Sequence, residues 1–281
     1  MISTKRLANR LLFRDDDDFI QAMNYVPVSA YSTGAIVIAF ILMSNHVHIV
    51  LQCEEVEAKI MIDRFKRLYG AYYCKKYQVS DFLRRLPSDI RELKIHDESL
   101  QRGIAYVHCN CVAANIVHHS SLYAWGTGAS LFSEQKSSGQ SLTEFTLSEQ
   151  RRLLRTWTVL PQDYRVSERG YILPESYVPV DFVEKVFRTP KSYNYFLSSS
   201  SKAKVHLEKS VASAFRDQVV LAAIPDLCHS LFRVHTIDEL DDEKKSEFLK
   251  QLARRFSADN NQLSRVTGFS ADEITRLLDL F

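Results

Sequence analysis

The stretch Ala35 to Gln52, AIVIAFILMSNHVHIVLQ, decides the fold because it reads as two strands joined by a tight turn. Ile36 to Leu42 is apolar and rich in β-branched residues, and Ser44-Asn45 supplies turn-forming side chains. The second strand begins with His46-Val47-His48. Side chains two residues apart project from the same face of a strand, so the two imidazoles are predicted to lie side by side.

This pair of histidines has two interpretations. Two imidazoles on a stiff strand provide half of a metal site. Alternatively, His46 and His48 are polar residues on the solvated face of an edge hairpin. Because the chain contains nine histidines, an isolated H-x-H match decides little, and other residues must complete the site.

The composition excludes several classes of protein. A chain of 281 residues with 46% hydrophobic and 25% charged residues is typical of globular domains, and its length favours two of them. The net charge of +2 does not by itself indicate nucleic-acid binding. Five cysteines without C-x-x-C spacing argue against a disulfide framework and a zinc knuckle. The longest apolar run, Ala35 to Met43, is far too short for a membrane span, and no signal peptide is visible, so we expect a cytoplasmic protein without a membrane partner.

The chain before the hairpin is predicted to contain one strand and one helix. The strand falls within Ile2 to Leu12. Four aspartates, Asp15 to Asp18, fit the start of a helix, where carboxylates favour the positive end of the dipole; a metal site is the alternative. Pro27 is expected to kink or end this helix.

A basic helix is predicted after the hairpin, from Val56 to Tyr77. Ten basic and four acidic residues lie between Lys59 and Lys94, with aromatic residues interleaved. This pattern suits single-stranded nucleic acid, whose phosphates meet cations and whose bases stack on rings. The alternative is an amphipathic helix whose aromatic residues are core. The candidate DNA contacts on this helix are Arg64, Lys66, Arg67, Tyr69, Lys75 and Lys76.

A further strand is predicted within Ile90 to Ile95, followed by a helix from the N-cap Asp97 to about Val117. Tyr106 and Asn110 are four residues apart on this helix and therefore share a face that could meet the two histidines. His108 lies on a different face and is discounted as a ligand. The order of elements predicts an α+β fold, a ferredoxin-like βαββαβ antiparallel sheet with helices on one face.

Three motifs in order resemble one family of DNA enzymes. LMSNHVHIVLQ is followed by IAYVHCNCVAANIV and then by YAWGTG, over residues 1 to 130. These segments resemble the HUH transposases with a single catalytic tyrosine, and in particular the REP-associated tyrosine transposases, which read L-M-P-N-H-V-H, Y-I-H-x-N-P-V-R-A-G and W-S-S. Ser44 and Cys111 stand where that family has proline.

The resemblance implies a complete site. His46, His48 and Asn110 would be ligands of a divalent metal, Mg²⁺ or Mn²⁺, and Tyr106 would be the nucleophile. The substrate would be single-stranded or hairpin DNA, cleaved through a 5′-phosphotyrosine intermediate. The covalent link stores the bond, so no nucleotide cofactor is needed. Many relatives work as homodimers, and the resemblance implies the same for this chain.

Beyond the first domain, 1–130, the sequence predicts a linker and mixed connecting region, 131–203, and a helical C-terminal domain, 204–281. Ser133 to Ser141 has the composition of a flexible linker, and Thr146 to Glu149 fits a capping box that opens a short helix. The last 25 residues fit a helix-turn-helix whose final helix is opened by a capping box, Ser270 to Glu273, and carries Arg276 as its only base-reading cation. An ordinary three-helix packing unit is the alternative.

Three functions follow from these observations. The first is a metal-dependent single-strand DNA endonuclease or transposase. The second is a catalytically retired transposase that binds repeated DNA hairpins as a regulator. The third is a metal-dependent hydrolase of small substrates in which Tyr106 is structural.

Overall fold

The computed structural model describes residues 1–80, 83, 86–94, 98–133, 138–200 and 215–280. The predicted N-cap Asp97, part of the predicted linker Ser133 to Ser141 and the beginning of the C-terminal region lie outside these residues. Within them, no helix combines the length and the apolar character needed to cross a membrane.

The first 110 residues build a four-stranded antiparallel sheet, which confirms the predicted α+β class. The elements are β1 (Ile2–Thr4), α1 (Asp16–Tyr31), β2 (Ile36–Met43), β3 (His46–Gln52), α2 (Glu55–Tyr77) and β4 (Ser88–Ile90). The strands lie in the order β2-β3-β1-β4. Helix α1 connects β1 to β2, and helix α2 connects β3 to β4. The two βαβ units interlock, because β3 lies between β1 and β2, and β1 lies between β3 and β4.

The histidine strand β3 lies inside this sheet. His48 pairs with Ile41 of β2 on one side and with Ser3 of β1 on the other, while His46 pairs with Met43. Both imidazoles are buried, at 4% and 5% exposure. The alternative of a solvated edge hairpin is therefore wrong: β1 pairs with the open edge of the hairpin, and the helix Ser99–His108 packs against β2 and β3.

Helix α1 begins where the aspartates predict, and Pro27 does not end it. The side chain of Asp15 accepts a hydrogen bond from the amide of Asp18, as an N-cap does. The helix continues through Pro27 to Tyr31. Val26 and Val28 on either side are fully buried, and this packing offsets the backbone hydrogen bond that proline cannot make.

The predicted tyrosine helix is divided in two, α3 (Ser99–His108) and α4 (Asn110–Ala113). The chain then returns along β2, where the amide of Leu42 donates to the carbonyl of Trp125 and the amide of Thr127 donates to that of Phe40. A Cβ on Gly126 would lie 2.7 Å from the carbonyl oxygen of Phe40, so this close approach requires glycine. The YAWGTG motif thus extends the sheet beyond β2.

The connecting region is folded against the sheet domain. Its elements are β5 (Gln140–Ser141), α5 (Leu147–Leu154), β6 (Arg165–Val166), α6 (Val180–Phe187) and α7 (Pro190–Ser199). Val183 and Phe187 belong to the same hydrophobic core as the sheet, and Leu142 and Ile172 pack with Val28 of α1. The predicted capping box of Thr146 and Glu149 opens α5, whereas sequence patterning did not predict α7.

The C-terminal part is helical and has its own core. The helices are α8 (Asp217–Leu227), α9 (Asp242–Phe256), α10 (Asn260–Thr267) and α11 (Ala271–Leu278), with a π-helical turn at Cys228–Phe232. Phe248, Leu263, Ile274 and Leu277 are fully buried within it. Ser270 caps α11 as the sequence predicts.

Candidate active site

The four residues predicted to form a site converge on one face of the sheet. The rings of His46 and His48 lie 4.8 Å apart between centroids, and that of Tyr106 lies 5.6 Å from His48. The Nε2 atom of His46 lies 3.5 Å from the Oδ1 atom of Asn110. Helix α3 contacts both β2 and β3, which is how residues sixty positions apart in sequence meet.

The side chain of Asn110 is fixed by the end of α3. Its Nδ2 atom donates to the carbonyl oxygens of Tyr106 and Val107 at 2.8 and 3.0 Å. These carbonyls lie in the last turn of α3, which lacks intrahelical partners for some of its acceptors. Because the amide nitrogen is engaged there, the amide oxygen must point the other way, towards His46.

A second asparagine fixes His46 from the opposite side. The Nδ2 atom of Asn45 donates to the carbonyl of Leu7 at 2.8 Å, which leaves its Oδ1 atom to accept from the Nδ1 atom of His46 at 2.8 Å. The proton of neutral His46 therefore resides on Nδ1, and the lone pair lies on Nε2. Sequence reasoning treated Asn45 only as a turn residue; its position directly before the first histidine was the available signal.

This arrangement suits a cation. In neutral His46 with its proton on Nδ1, the Nε2 lone pair faces the Oδ1 lone pair of Asn110, and either a metal ion between them or a second proton on Nε2 makes this contact attractive. Ligands of one ion, each about 2.1 Å from it, are separated by roughly 3–3.5 Å. No group of three or more His, Cys, Asp and Glu side chains in the described part of the chain is arranged to hold a metal, so a metal here would depend on the amide oxygen as well as the imidazoles.

Two clefts open on the site. His46 and Asn110 line a cleft of about 470 Å³ whose other wall comes from the C-terminal helices. Tyr106 lines a second cleft of about 510 Å³. Each cleft contains arginines that sequence reasoning did not single out as site residues: Arg6, Arg216 and Arg265 in the first, Arg91 and Arg102 in the second.

The C-terminal wall is anchored directly at the histidine hairpin. Asp217, which is 5% exposed, accepts a hydrogen bond from the hydroxyl of Ser44 at 2.6 Å. Arg265 donates to both carboxylate oxygens of Asp217, at 2.8 and 3.0 Å, and Gln262 donates to one of them at 3.0 Å. This network joins α8 and α10 to the turn that precedes His46.

Some of the predicted DNA contacts on α2 are buried or paired inside the protein, and others are exposed. Tyr69 is fully buried, and its hydroxyl donates to the carbonyl of Leu12, so no base can stack on it; this correction assigns it to the core. Lys76 binds Asp15 and the buried Asp18 and ties α2 to α1. Arg67 and Lys75 are exposed, as a DNA-contacting residue must be.

The remaining predicted cations also have partners. Lys66 is only 12% exposed and binds Asp63, and Arg64 donates to the hydroxyl of Thr158. Arg276 binds Asp242 on α9, so the proposed base-reading cation is engaged in an exposed ion pair.

His108 faces away from the site, as its sequence position predicts. It is buried between two hydroxyls, with Nδ1 2.8 Å from Tyr193 and Nε2 2.7 Å from Thr127. Burial lowers the pKa of its imidazole to about 3, so the ring is neutral at pH 7. It connects α3 to α7 and to the segment that pairs with β2.

Comparisons of the chain with protein-family models, with curated proteins and with solved structures found no match. A function therefore has to be argued from the geometry and chemistry of the site.

Proposed function

We propose that this protein is a metal-dependent single-strand DNA endonuclease or transposase that cleaves and rejoins DNA through a 5′-phosphotyrosine intermediate. One observation carries the proposal: Tyr106 packs its ring against His48, beside the point where His46 and Asn110 present facing lone pairs. A hydroxyl nucleophile and a cation-binding pair are the two groups that transfer of a DNA phosphate to tyrosine requires.

The metal and the side chains would have different roles in the reaction. His46 and Asn110, with His48 beside them, would hold Mg²⁺ or Mn²⁺, which supplies Lewis-acid polarisation of the scissile phosphate. The Tyr106 oxygen attacks phosphorus, the bond from phosphorus to the 3′ oxygen breaks, and the tyrosine proton is balanced by protonation of that oxygen. The products are a 5′-phosphotyrosine link and a free 3′-OH, and reversal with another 3′-OH rejoins the strand.

The charges around the site support a DNA substrate. Arg91 and Arg102 line the cleft that contains Tyr106, and Arg6 and Arg216 line the cleft that contains His46. Phosphates of a strand that crosses the site would therefore meet cations on both sides. In this proposal the C-terminal domain, 204–281, contributes to DNA binding because it forms one wall of the cleft. Base reading by Arg276 is not part of the proposal.

The proposal needs no partner chain for the nucleophile, since Tyr106 lies beside His48 of its own chain. Homodimerisation and exchange of the tyrosine between subunits are additional proposals that rest on the resemblance alone.

The test is formation of a covalent protein–DNA adduct. The protein is incubated with Mn²⁺ and labelled DNA hairpins that carry single-stranded flanks, taken from palindromes around its own gene, and separated under denaturing conditions. We expect a labelled adduct with the wild type and none with Tyr106→Phe or His46→Ala. Tyr195→Phe is the matched control because Tyr195 is an exposed tyrosine on α7, and it should retain the adduct. Hairpin binding that survives Tyr106→Phe, without an adduct from the wild type, would instead indicate the regulator.

A further inference from the structure

Trp157 is the most exposed large apolar side chain among the described residues, at 79%. It lies in the loop that follows α5, and one face of its indole is covered by Arg151, whose guanidinium carbon is 4.5 Å from the ring centroid. The exposed fraction shows that the rest of the ring is open to solvent. An indole with a cation on one face and an open second face is pre-arranged to stack with another flat ring.

Two further arginines lie close to the loop that carries Trp157. Arg64 of α2 donates to the hydroxyl of Thr158, the residue after Trp157. Arg155 lies over the ring of Tyr72 on α2, with 5.0 Å to the centroid, and is itself exposed. The surface formed by Trp157, Arg64, Arg151 and Arg155, called here the Trp157 surface, therefore combines a stacking ring with three positive charges.

Among the residues that the structure describes, no carboxylate forms an ion pair with Arg64, Arg151 or Arg155. Glu149 accepts hydrogen bonds from the amide and hydroxyl of Thr146 in the capping box. Asp63 binds Lys66 on α2. Because no carboxylate of the described residues neutralises them, the three arginines attract an external anion.

The charge of the surface identifies its partner. Trp and Arg are also enriched in protein interfaces, so self-association is the rival explanation. In a two-fold symmetric dimer, however, the same patch meets itself, and three arginines would then face three arginines. A polyanion with exposed planar rings satisfies both the charge and the open indole face, and single-stranded nucleic acid has both features.

We propose that the Trp157 surface binds single-stranded nucleic acid, with a base stacked on the indole and neighbouring phosphates held by Arg64, Arg151 and Arg155. This goes beyond the proposed cleavage function, because it assigns a second contact that needs neither the metal nor Tyr106. Arg64 on α2 would then bind a phosphate beside a base that stacks on Trp157, which lies outside that helix. Tyr69 of α2 cannot take this role because it is buried.

The chain offers a specific optical readout. It contains two tryptophans, and Trp125 is 2% exposed, so quenching by an added strand reports on Trp157. Full-length protein is titrated in EDTA, which prevents metal-dependent cleavage, with oligo(dT) of about 16 nucleotides and with a duplex of equal length. We expect quenching by the single strand and much weaker quenching by the duplex, whose bases are already stacked.

Affinities are then measured by fluorescence anisotropy of labelled oligo(dT). Trp157→Ala should weaken binding about 5- to 150-fold, the effect of losing one stacked base. Arg151→Ala should weaken binding and reduce the slope of log affinity against log salt by about 1. The controls are Tyr195→Ala, another exposed aromatic residue, and Arg254→Ala, another exposed arginine in the last turn of a helix; both should bind as the wild type.

Several outcomes would overturn the proposal. These are absence of quenching, equal affinity for single strand and duplex, or unchanged affinity in both Trp157→Ala and Arg151→Ala. Sedimentation of the wild type and Trp157→Ala without nucleic acid tests the rival, and a dimer lost only in the variant would assign the surface to self-association. Oligo(dT) affinity is measured in EDTA and the covalent adduct is measured with Mn²⁺, so failure of the cleavage proposal and failure of this one are distinguishable.

Discussion

The Nε2 atom of His46 and the Oδ1 atom of Asn110 face each other at 3.5 Å, and each is held in that orientation by hydrogen bonds on its far side. Asn45 accepts from the Nδ1 atom of His46, and the last-turn carbonyls of α3 accept from the amide of Asn110. The two proposed metal ligands are thus pre-oriented from both the hairpin and the helix, and such supporting contacts commonly determine metal affinity.

Asn45→Ala should weaken Mn²⁺ binding about 10- to 100-fold, because the acceptor that keeps the proton of His46 on Nδ1 is lost. The measurement is titration calorimetry or electron paramagnetic resonance of Mn²⁺ with the purified protein. Asn45→Asp retains an acceptor oxygen and should restore most of the affinity. Asn194→Ala, on α7, is the control. Equal affinity in all four proteins would show that Asn45 does not orient His46 for a metal.

Asp217→Ala should destabilise the C-terminal helices by about 2–3 kcal/mol. The substitution leaves Arg265 without its carboxylate partner. The expected destabilisation is smaller than the roughly 3–5 kcal/mol for a fully buried pair because the side chain of Arg265 is 23% exposed. Urea unfolding monitored by circular dichroism provides the measurement. The matched control is Asp242→Ala, which breaks the exposed pair with Arg276 and should leave the unfolding curve essentially unchanged. Similar curves for both variants would contradict the anchoring role of Asp217.

Tyr69→Phe should reduce the free energy of unfolding by about 1–3 kcal/mol and leave nucleic-acid affinity unchanged, because it removes the hydroxyl that satisfies the buried carbonyl of Leu12. Arg67→Ala on the exposed side of the same helix should show the reverse pattern, with unchanged stability and weaker, less salt-dependent binding. Denaturant unfolding and oligo(dT) anisotropy measure the two quantities. A loss of affinity in folded Tyr69→Phe would return this residue to the DNA interface.

The stability of the protein should fall on acidification through His108. Burial lowers the pKa of the folded imidazole to about 3 from its ordinary 6.5, so below pH 6.5 the unfolded chain takes up a proton that the folded chain does not. The contribution of His108 to the free energy of unfolding is fully present above pH 6.5. It decreases by about 1.4 kcal/mol per pH unit as the pH falls towards 3.

Urea unfolding at pH 7, 6, 5 and 4 tests this linkage. In His108→Gln the free energy of unfolding should fall less steeply with decreasing pH, by about 1.4 kcal/mol per pH unit. Tyr193→Phe removes a hydroxyl beside the ring but keeps the imidazole, so it should be less stable at every pH with the wild-type slope. An unchanged slope in folded His108→Gln would show that this imidazole is not held neutral.

Local sequence determined the elements around the site. The β-branched run, the Ser44-Asn45 turn and the alternation of His46 with His48 predicted β2, β3 and the shared face of the imidazoles, which the structure confirms. The extent of α2 and the capping box at Thr146 were also predicted correctly. Each of these features depends on residues within a few positions of one another, where spacing and side-chain chemistry act directly on the backbone.

Only the tertiary structure decided which side chains meet. Sequence could place Tyr106 and Asn110 on one helical face, but the packing of α3 on the sheet brings that face to the histidines. Packing likewise buries Tyr69, carries α1 past Pro27 and leaves Trp157 in solvent. The physical reason is that burial and long-range hydrogen bonding depend on which surfaces the whole chain has available, and periodicity within one segment does not contain that information.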